Sequence, residues 1–250
     1  VKRHRPDVWA KLGYAGDLAD FLSFKSTGTF ERSACTLSCK WTYDPDAGGW
    51  SKDFLQSVGL SDLLDRAALP LHAKAIGTKV GTLTDAAAYD LGLTTSCAVG
   101  KGLIDAHAGA LGTSGLHQTR IDRRLALIAG TSNCHIALTK QRREVSGVWG
   151  PYKGAVLEDW YALEGGQSAT GAALAQILGM FRAPTKKPHE TLGQAFLDGL
   201  RADPDYGSEI CVLPDFLGNR SPFADPAMRG AILGLSLQEP AKMLPILYCA

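Results

Sequence analysis

Two short stretches hold residue types suited to chemistry. In Gly102–Gly112, GLIDAHAGALG, an apolar run delivers one carboxylate, Asp105, ahead of the small residues Ala106, Ala108, Gly109 and Ala110. In Leu125–Ala137, LALIAGTSNCHIA, an apolar run breaks at Gly130-Thr131-Ser132 and then resumes. The first pattern predicts a buried strand leading into a tightly packed helix, with Asp105 at the join. The second predicts a hairpin whose turn offers backbone N–H groups and two hydroxyls to an anion. A carboxylate that can take a proton and a turn that can hold phosphate are two components of phosphoryl transfer. Each also has a plainer reading: Asp105 as a helix N-cap, and Gly-Thr-Ser as an ordinary hairpin turn.

The surrounding chain must position these groups. Asp17–Lys25 has helical spacing and a glycine stop at Gly28. Trp50–Val58 and Asp62–Arg66 read as short helices. Asp85–Leu91 is a helix with Thr84 as N-cap and Gly92 as stop. Cys97–Ile104 is the strand expected to deliver Asp105. The polar segment Gly115–Arg124 separates two apolar units and marks a domain boundary. A strand is expected to end at Glu164, and Gly165-Gly166-Gln167-Ser168 to open the helix Ala169–Met180. Residues 182–189 read as a Pro/Lys loop, Glu190–Leu200 as an amphipathic helix, and Ile210–Leu213 and Ile232-Leu233 as short strands. Strands mixed with helices predict an α/β fold.

Composition narrows the function classes. Charge is balanced, with 26 Lys+Arg against 25 Asp+Glu, which argues against a nucleic-acid or membrane-surface partner. No apolar run is long enough to span a bilayer. Six cysteines, at 35, 39, 97, 134, 211 and 249, include no C-x-x-C pair. Cys35 and Cys39 are spaced C-x3-C without a second Cys/His pair to complete a zinc site, and Asp105-Ala106-His107 lacks neighbours of metal spacing. The cysteines therefore read as reduced, buried thiols of a cytosolic protein, and no protein metal ligand is expected. The chain begins without Met and stops inside an apolar pattern, which reads as part of a longer polypeptide. Gly166-Gln167-Ser168-Ala169-Thr170 approaches a nucleophile elbow but has Thr where the second Gly belongs, which argues against a serine hydrolase.

Lys40-Trp41 after a small-residue run, then LIDAHAGALG, AGTSNCH, WGPY, LEGGQSATG and DFLGNRSPFADPAMRGAILGL, occur in that order. Together they resemble the FGGY carbohydrate kinases, most closely the pentulose-kinase branch with its D-ribulokinase-like members. The resemblance implies a ribonuclease-H-like, actin-type architecture of two domains. Residues 1–118 would be the C-terminal part of the sugar-binding domain and 119–250 the N-terminal part of the ATP-binding domain. It implies ATP with Mg2+ as cofactors and a small sugar as substrate, D-ribulose first. L-ribulose, xylulose and ribitol are the alternatives, and a non-catalytic sugar-binding protein is the rival class. Asp105 would be the general base, Lys40, Glu164 and Gln167 would hold the sugar with it, and Gly130, Thr131 and Ser132 would form a phosphate loop. The family's first phosphate loop and its glycine-rich adenosine motif are not among these residues. A cytoplasmic location and a homodimer are compatible with the resemblance.

Overall fold

The computed structural model describes residues 1–181, 187–236 and 240–249. Most of the expected Pro/Lys loop, at 182–186, lies outside the described residues. In chain order the helices are α1 (Pro6–Ala10), α2 (Leu18–Thr27), α3 (Ala34–Lys40), α4 (Lys52–Ser57), α5 (Leu63–Arg66), α6 (Asp85–Leu91), α7 (Asp105–Ser114), α8 (Gly171–Met180), α9 (Pro188–Ala202) and α10 (Pro240–Cys249). The strands are β1 (Tyr43–Asp44), β2 (Gly49–Trp50), β3 (Lys79–Thr82), β4 (Ala98–Gly100), β5 (Leu125–Ala129), β6 (Asn133–Thr139), β7 (Trp149–Lys153), β8 (Tyr161–Gln167), β9 (Cys211–Leu213) and β10 (Ala231–Leu233). A four-stranded sheet runs in the order β5-β6-β8-β7, and three two-stranded pairs accompany it.

Helix ends follow their capping residues. Asp17 and Asp20 form a capping box at the start of α2, and Gly28 ends it in the left-handed conformation. Thr84 caps α6 by accepting from Ala87 N, and Gly92 closes it in the same way.

The chain divides into two compact units. The first comprises Val1–Ala126, Ile136–Glu144 and Trp149–Glu164; the second comprises Leu127–His135, Val145–Val148 and Gly165–Ala250. The dividing line passes through β5, β6 and β8. The first unit packs Leu37, Tyr43, Leu55, Leu63, Ala67 and Leu69 into one core, against which Trp9, Trp41 and Trp50 lie. The second packs Ile177 of α8 and Ile210 with Met243, Ile246 and Leu247 of α10. Each core removes branched aliphatic side chains from water, the main favourable term in folding.

Three expectations need correction. The strand before Asp105 is short: β4 covers only Ala98–Gly100, pairs with β3, and leaves Ala98 and Gly100 exposed rather than buried. Glu164 does not end its strand, because β8 continues through Gly165, Gly166 and Gln167. Gln167 is therefore a strand residue, and α8 starts later, at Gly171. Ladder pairing overrides the helix-start signal of that Gly-rich segment.

The small-residue run before Lys40 forms α3, capped by Ser33. The six cysteines form no disulfide, but only Cys35 is fully buried, and Cys211 and Cys249 are exposed. No helix among the described residues is long and apolar enough to cross a membrane.

Candidate functional site

In the first unit, residues of α3, α7 and β8 act on one imidazole, that of His107. Asp105 is the first residue of α7, and two residues later the helix turns His107 inward, where it is 2% exposed. Lys40 closes α3. Glu164 comes from β8, opposite Trp149 of β7, with its side chain 12% exposed. The Glu164 Oε2 atom lies 3.9 Å from His107 Nε2. Cys39 Sγ, one residue before Lys40, lies 3.5 Å from the same nitrogen. Tyr152 packs edge-on to the imidazole, with ring centroids 6.4 Å apart.

The irregular β7–β8 pairing lets Tyr152 reach this position. The register shifts between Trp149 and Tyr152. Gly150 sits there with φ +99°, and a Cβ on it would lie 2.5 Å from the Ala162 carbonyl oxygen. Only glycine accepts both conditions.

The electrostatics of the cluster are set by burial. Burial pushes the His107 imidazole below its ordinary pKa; the charges of Glu164 and Asp105 favour the protonated form, and that of Lys40 opposes it. The ring is thus neutral near pH 7. Its Nδ1 is enclosed without a hydrogen-bond partner among the described residues. Cys39 is held protonated by its hydrogen bond with Cys35 and by burial. Burial, followed by the charges of Cys39 and Glu164, pushes the Tyr152 hydroxyl up to about 12.

Asp105 itself is exposed. Its Oδ1 accepts from Ala106 N at 2.8 Å, while Ile104, not Asp105, occupies the N-cap position. The second carboxylate oxygen has no hydrogen-bond partner among the described residues, so it is open to a ligand's proton. Lys40 is also exposed, and no hydrogen bond or ion pair engages it among the described residues. Glu164 thus lies beside one neutral ring on which the charges of Asp105 and Lys40 also act, and all three are polar groups suited to hydroxyls.

The remaining expected site residues belong to the second unit. Gly130, Thr131 and Ser132 form the turn between β5 and β6, and Gly130 N donates to Ser132 O at 2.9 Å. Gly130 and Thr131 are exposed. Two amides at the start of α8 brace this turn: Thr170 N donates to Thr131 O at 2.9 Å and Gly171 N to Gly130 O at 3.1 Å. A Cβ on Gly171 would stand 3.0 Å from the Gly130 oxygen, so this close approach needs glycine. The Thr170 hydroxyl is enclosed without a hydrogen-bond partner among the described residues.

Gln167 is tied to the protein on both faces. Its backbone N donates to Asn133 Oδ1 at 3.1 Å, and its Nε2 to the Pro214 carbonyl at 3.3 Å. It braces the turn's strand within the second unit.

An apolar cleft of about 480 Å3 lies along α8, lined by Ala169, Ala172, Ala173, Ile177, Met180 and Phe216 among others. Sequence reading missed this cleft and the gathering of Cys35, Cys39 and His107; the Ala-rich helical spacing of α8 was the only local signal for the first. No imidazole is hydrogen-bonded to Ser168 among the described residues, which leaves the hydrolase reading without a base. Arg229 hydrogen-bonds the carbonyls of Pro226, Ala227 and Met228 within its own loop.

Comparison with known proteins identifies the family and the fold. The chain is 40% identical to a zebrafish (Danio rerio) FGGY carbohydrate kinase domain-containing protein, over 100% of this chain and 50% of the relative. It is 36% identical to a D-ribulokinase of Saccharomyces cerevisiae, over 93% of this chain and 39% of that protein. The chain thus spans about half the length of the curated relatives it matches. In fold it is similar to the xylulose kinase of Rhodospirillum rubrum, with a TM-score of 0.73 at 23% identity over 98% of this chain and 47% of that one. The α/β fold is therefore that of the sugar kinases. Residues 125–250 match the C-terminal domain of one family of these enzymes. With the motifs of both units in order, the chain belongs to the FGGY family of carbohydrate kinases.

Proposed function

We propose that this chain forms part of an ATP-dependent kinase that phosphorylates a pentulose, converting D-ribulose to D-ribulose 5-phosphate. The observation that carries the reading is that Lys40, Asp105 and Glu164 lie in one compact unit, with Glu164 3.9 Å from His107 and the charges of the other two acting on the same ring. Kinship with a yeast D-ribulokinase supports D-ribulose over other ketopentoses. Residues 1–118 are assigned to the end of the sugar-binding domain and 119–250 to the start of the ATP-binding domain, a division supported by the family match beginning at 125.

Each residue has a role its chemistry allows. The open oxygen of Asp105 takes the proton of the attacking hydroxyl. In a loose transition state little early deprotonation is needed, so an ordinary carboxylate suffices. Lys40 donates to sugar oxygens and Glu164 accepts from sugar hydroxyls, in charge-assisted hydrogen bonds. Gln167 is proposed to act on the sugar only through the strand that it and Glu164 share.

The nucleotide fits the second unit. The Gly130–Ser132 turn, exposed at Gly130 and Thr131, presents backbone and hydroxyl donors to phosphate, and the enclosed Thr170 hydroxyl beside it has no hydrogen-bond partner among the described residues. The apolar cleft along α8 suits one face of a purine. When bound, ATP with Mg2+ supplies the phosphoryl group and offsets its charge; Mg2+ keeps mostly water and phosphate ligands, so no residue here is assigned to it.

A panel of pentuloses and pentitols assayed for ATP-dependent phosphorylation by the full-length protein tests the reading. The highest kcat/KM is expected for D-ribulose. A preference for L-ribulose, xylulose or ribitol would overturn the substrate, and turnover of none of them would overturn the class.

A further inference from the structure

We infer that Cys35, Cys39 and His107 form a binding site for a soft or borderline cation of the Zn2+ type, with Glu164 closing the fourth position. Three ligand atoms, two thiol sulfurs and one imidazole nitrogen, all lie within 4.8 Å of one another. Their convergence comes from two helices. Cys35 and Cys39 are four residues apart on α3, so their side chains stack on one face. His107 enters from the first turn of α7. Glu164 Oε2 approaches the same imidazole nitrogen as Cys39 Sγ, from the strand side.

Ligands on a tetrahedral Zn2+ stand roughly 3.5–3.8 Å apart, given the usual Zn–S and Zn–N bond lengths. The Cys39–His107 separation of 3.5 Å already meets this. The widest pair needs to close by about an ångström, within the reach of side-chain rotation on fixed helices. Two sulfurs and a nitrogen select Zn2+, Cd2+ or Cu+ over Mg2+ and Ca2+, so the cation of phosphoryl transfer would not occupy this site. Binding would displace the two thiol protons to solvent, which makes occupancy rise with pH. The site is shielded but reachable: Cys35 and His107 are buried, whereas Cys39 is half-buried and the Glu164 side chain keeps 12% of its exposure.

The consequence rests on the proposed function. Glu164 cannot ligate a cation and accept from a sugar hydroxyl with the same oxygens. A cation at this site therefore excludes the pentulose, and micromolar Zn2+ inhibits the kinase competitively with sugar and not with ATP.

The test is titration of the full-length, reduced protein with Co2+ as an optical stand-in for Zn2+. One equivalent should give tetrahedral visible bands and a thiolate charge-transfer band, both removed by Zn2+. Cys35→Ser and Cys39→Ser should each abolish the charge-transfer band, while Cys97→Ser and Cys211→Ser should retain it. An octahedral spectrum, or a band that survives Cys39→Ser, overturns the site. Should the α3 variants fail to fold, wild-type protein decides: Zn2+ should slow alkylation of Cys39 at least about tenfold relative to Cys211, and equal rates overturn the proposal. A Co2+ signal that D-ribulose leaves unchanged upholds the cation site and overturns the placement of the sugar.

Discussion

The two compact units carry their chemistry in different currencies. In the first, the proposed groups are side chains: Lys40, Asp105 and Glu164 come from α3, α7 and β8, and their charges act on His107. In the second, the proposed group is backbone: Gly130, Thr131 and Ser132 are consecutive, and the carbonyls of Gly130 and Thr131 are braced by amides at the start of α8. The contrast follows from what each ligand needs. A sugar with several hydroxyls is distinguished by individually placed donors and acceptors. A phosphate group is held by a concave set of N–H dipoles, which a single turn can supply. Substitutions in the first unit should therefore alter proton transfer and sugar selectivity, and substitutions in the second should alter nucleotide binding.

The largest test of this division is Asp105→Asn in the full-length protein. Turnover should fall by roughly two to four orders of magnitude, while sugar affinity changes far less. Steady-state kinetics and sugar binding by calorimetry check both quantities. Activity within a few-fold of wild type would remove the base from the first unit.

Next in size is a structural break confined to the first unit. Lys101, four residues before Asp105, is buried with its side chain 1% exposed and is neutralised by Glu31, which also pairs with Lys74 at 2.8 Å. Glu31→Ala strands the Lys101 ammonium, and a loss of about 3 kcal/mol is expected. Urea unfolding measures it. A loss below about 1 kcal/mol would show that the segment leading to Asp105 is anchored elsewhere.

A paired experiment sharpens the contrast. Glu164→Ala should raise the KM for pentulose about tenfold or more and leave that for ATP nearly unchanged. Gly171→Ala, whose new Cβ would press on the Gly130 oxygen at 3.0 Å, should do the reverse by several-fold. Equal effects of either variant on both substrates would erase the division of labour.

The smallest effect is a pH dependence of stability in the first unit. The His107 imidazole is pushed below its ordinary value by burial. Between that lower value and about 6.5 the unfolded chain binds a proton that the folded one does not. The stabilisation from the neutral ring is therefore complete above about pH 6.5 and declines as pH falls. Unfolding free energies at several pH values should show a shallower acid decline in His107→Asn than in wild type. Parallel curves would mean that the ring is not the group responsible.

What the sequence determined by itself is local. The boundaries of α2 and α6 were legible because Asp17, Thr84, Gly28 and Gly92 satisfy helix-end groups within a turn of chain. The Gly130–Ser132 turn was legible for the same reason, since both of its strands are sequence neighbours. Tertiary structure decided the rest. Gln167 follows the β8 ladder and its backbone hydrogen bond to Asn133 rather than starting a helix, because pairing with a strand remote in sequence outweighs a Gly-rich start signal. The protonation state of His107 depends on desolvation, which no spacing of residues encodes. The meeting of Cys35 and Cys39 with His107, nearly 70 residues away in the chain, arises only when α3 and α7 pack. A C-x3-C pair with no second pair in sequence looked inert, and the fold brings a third ligand type, the His107 imidazole, beside it.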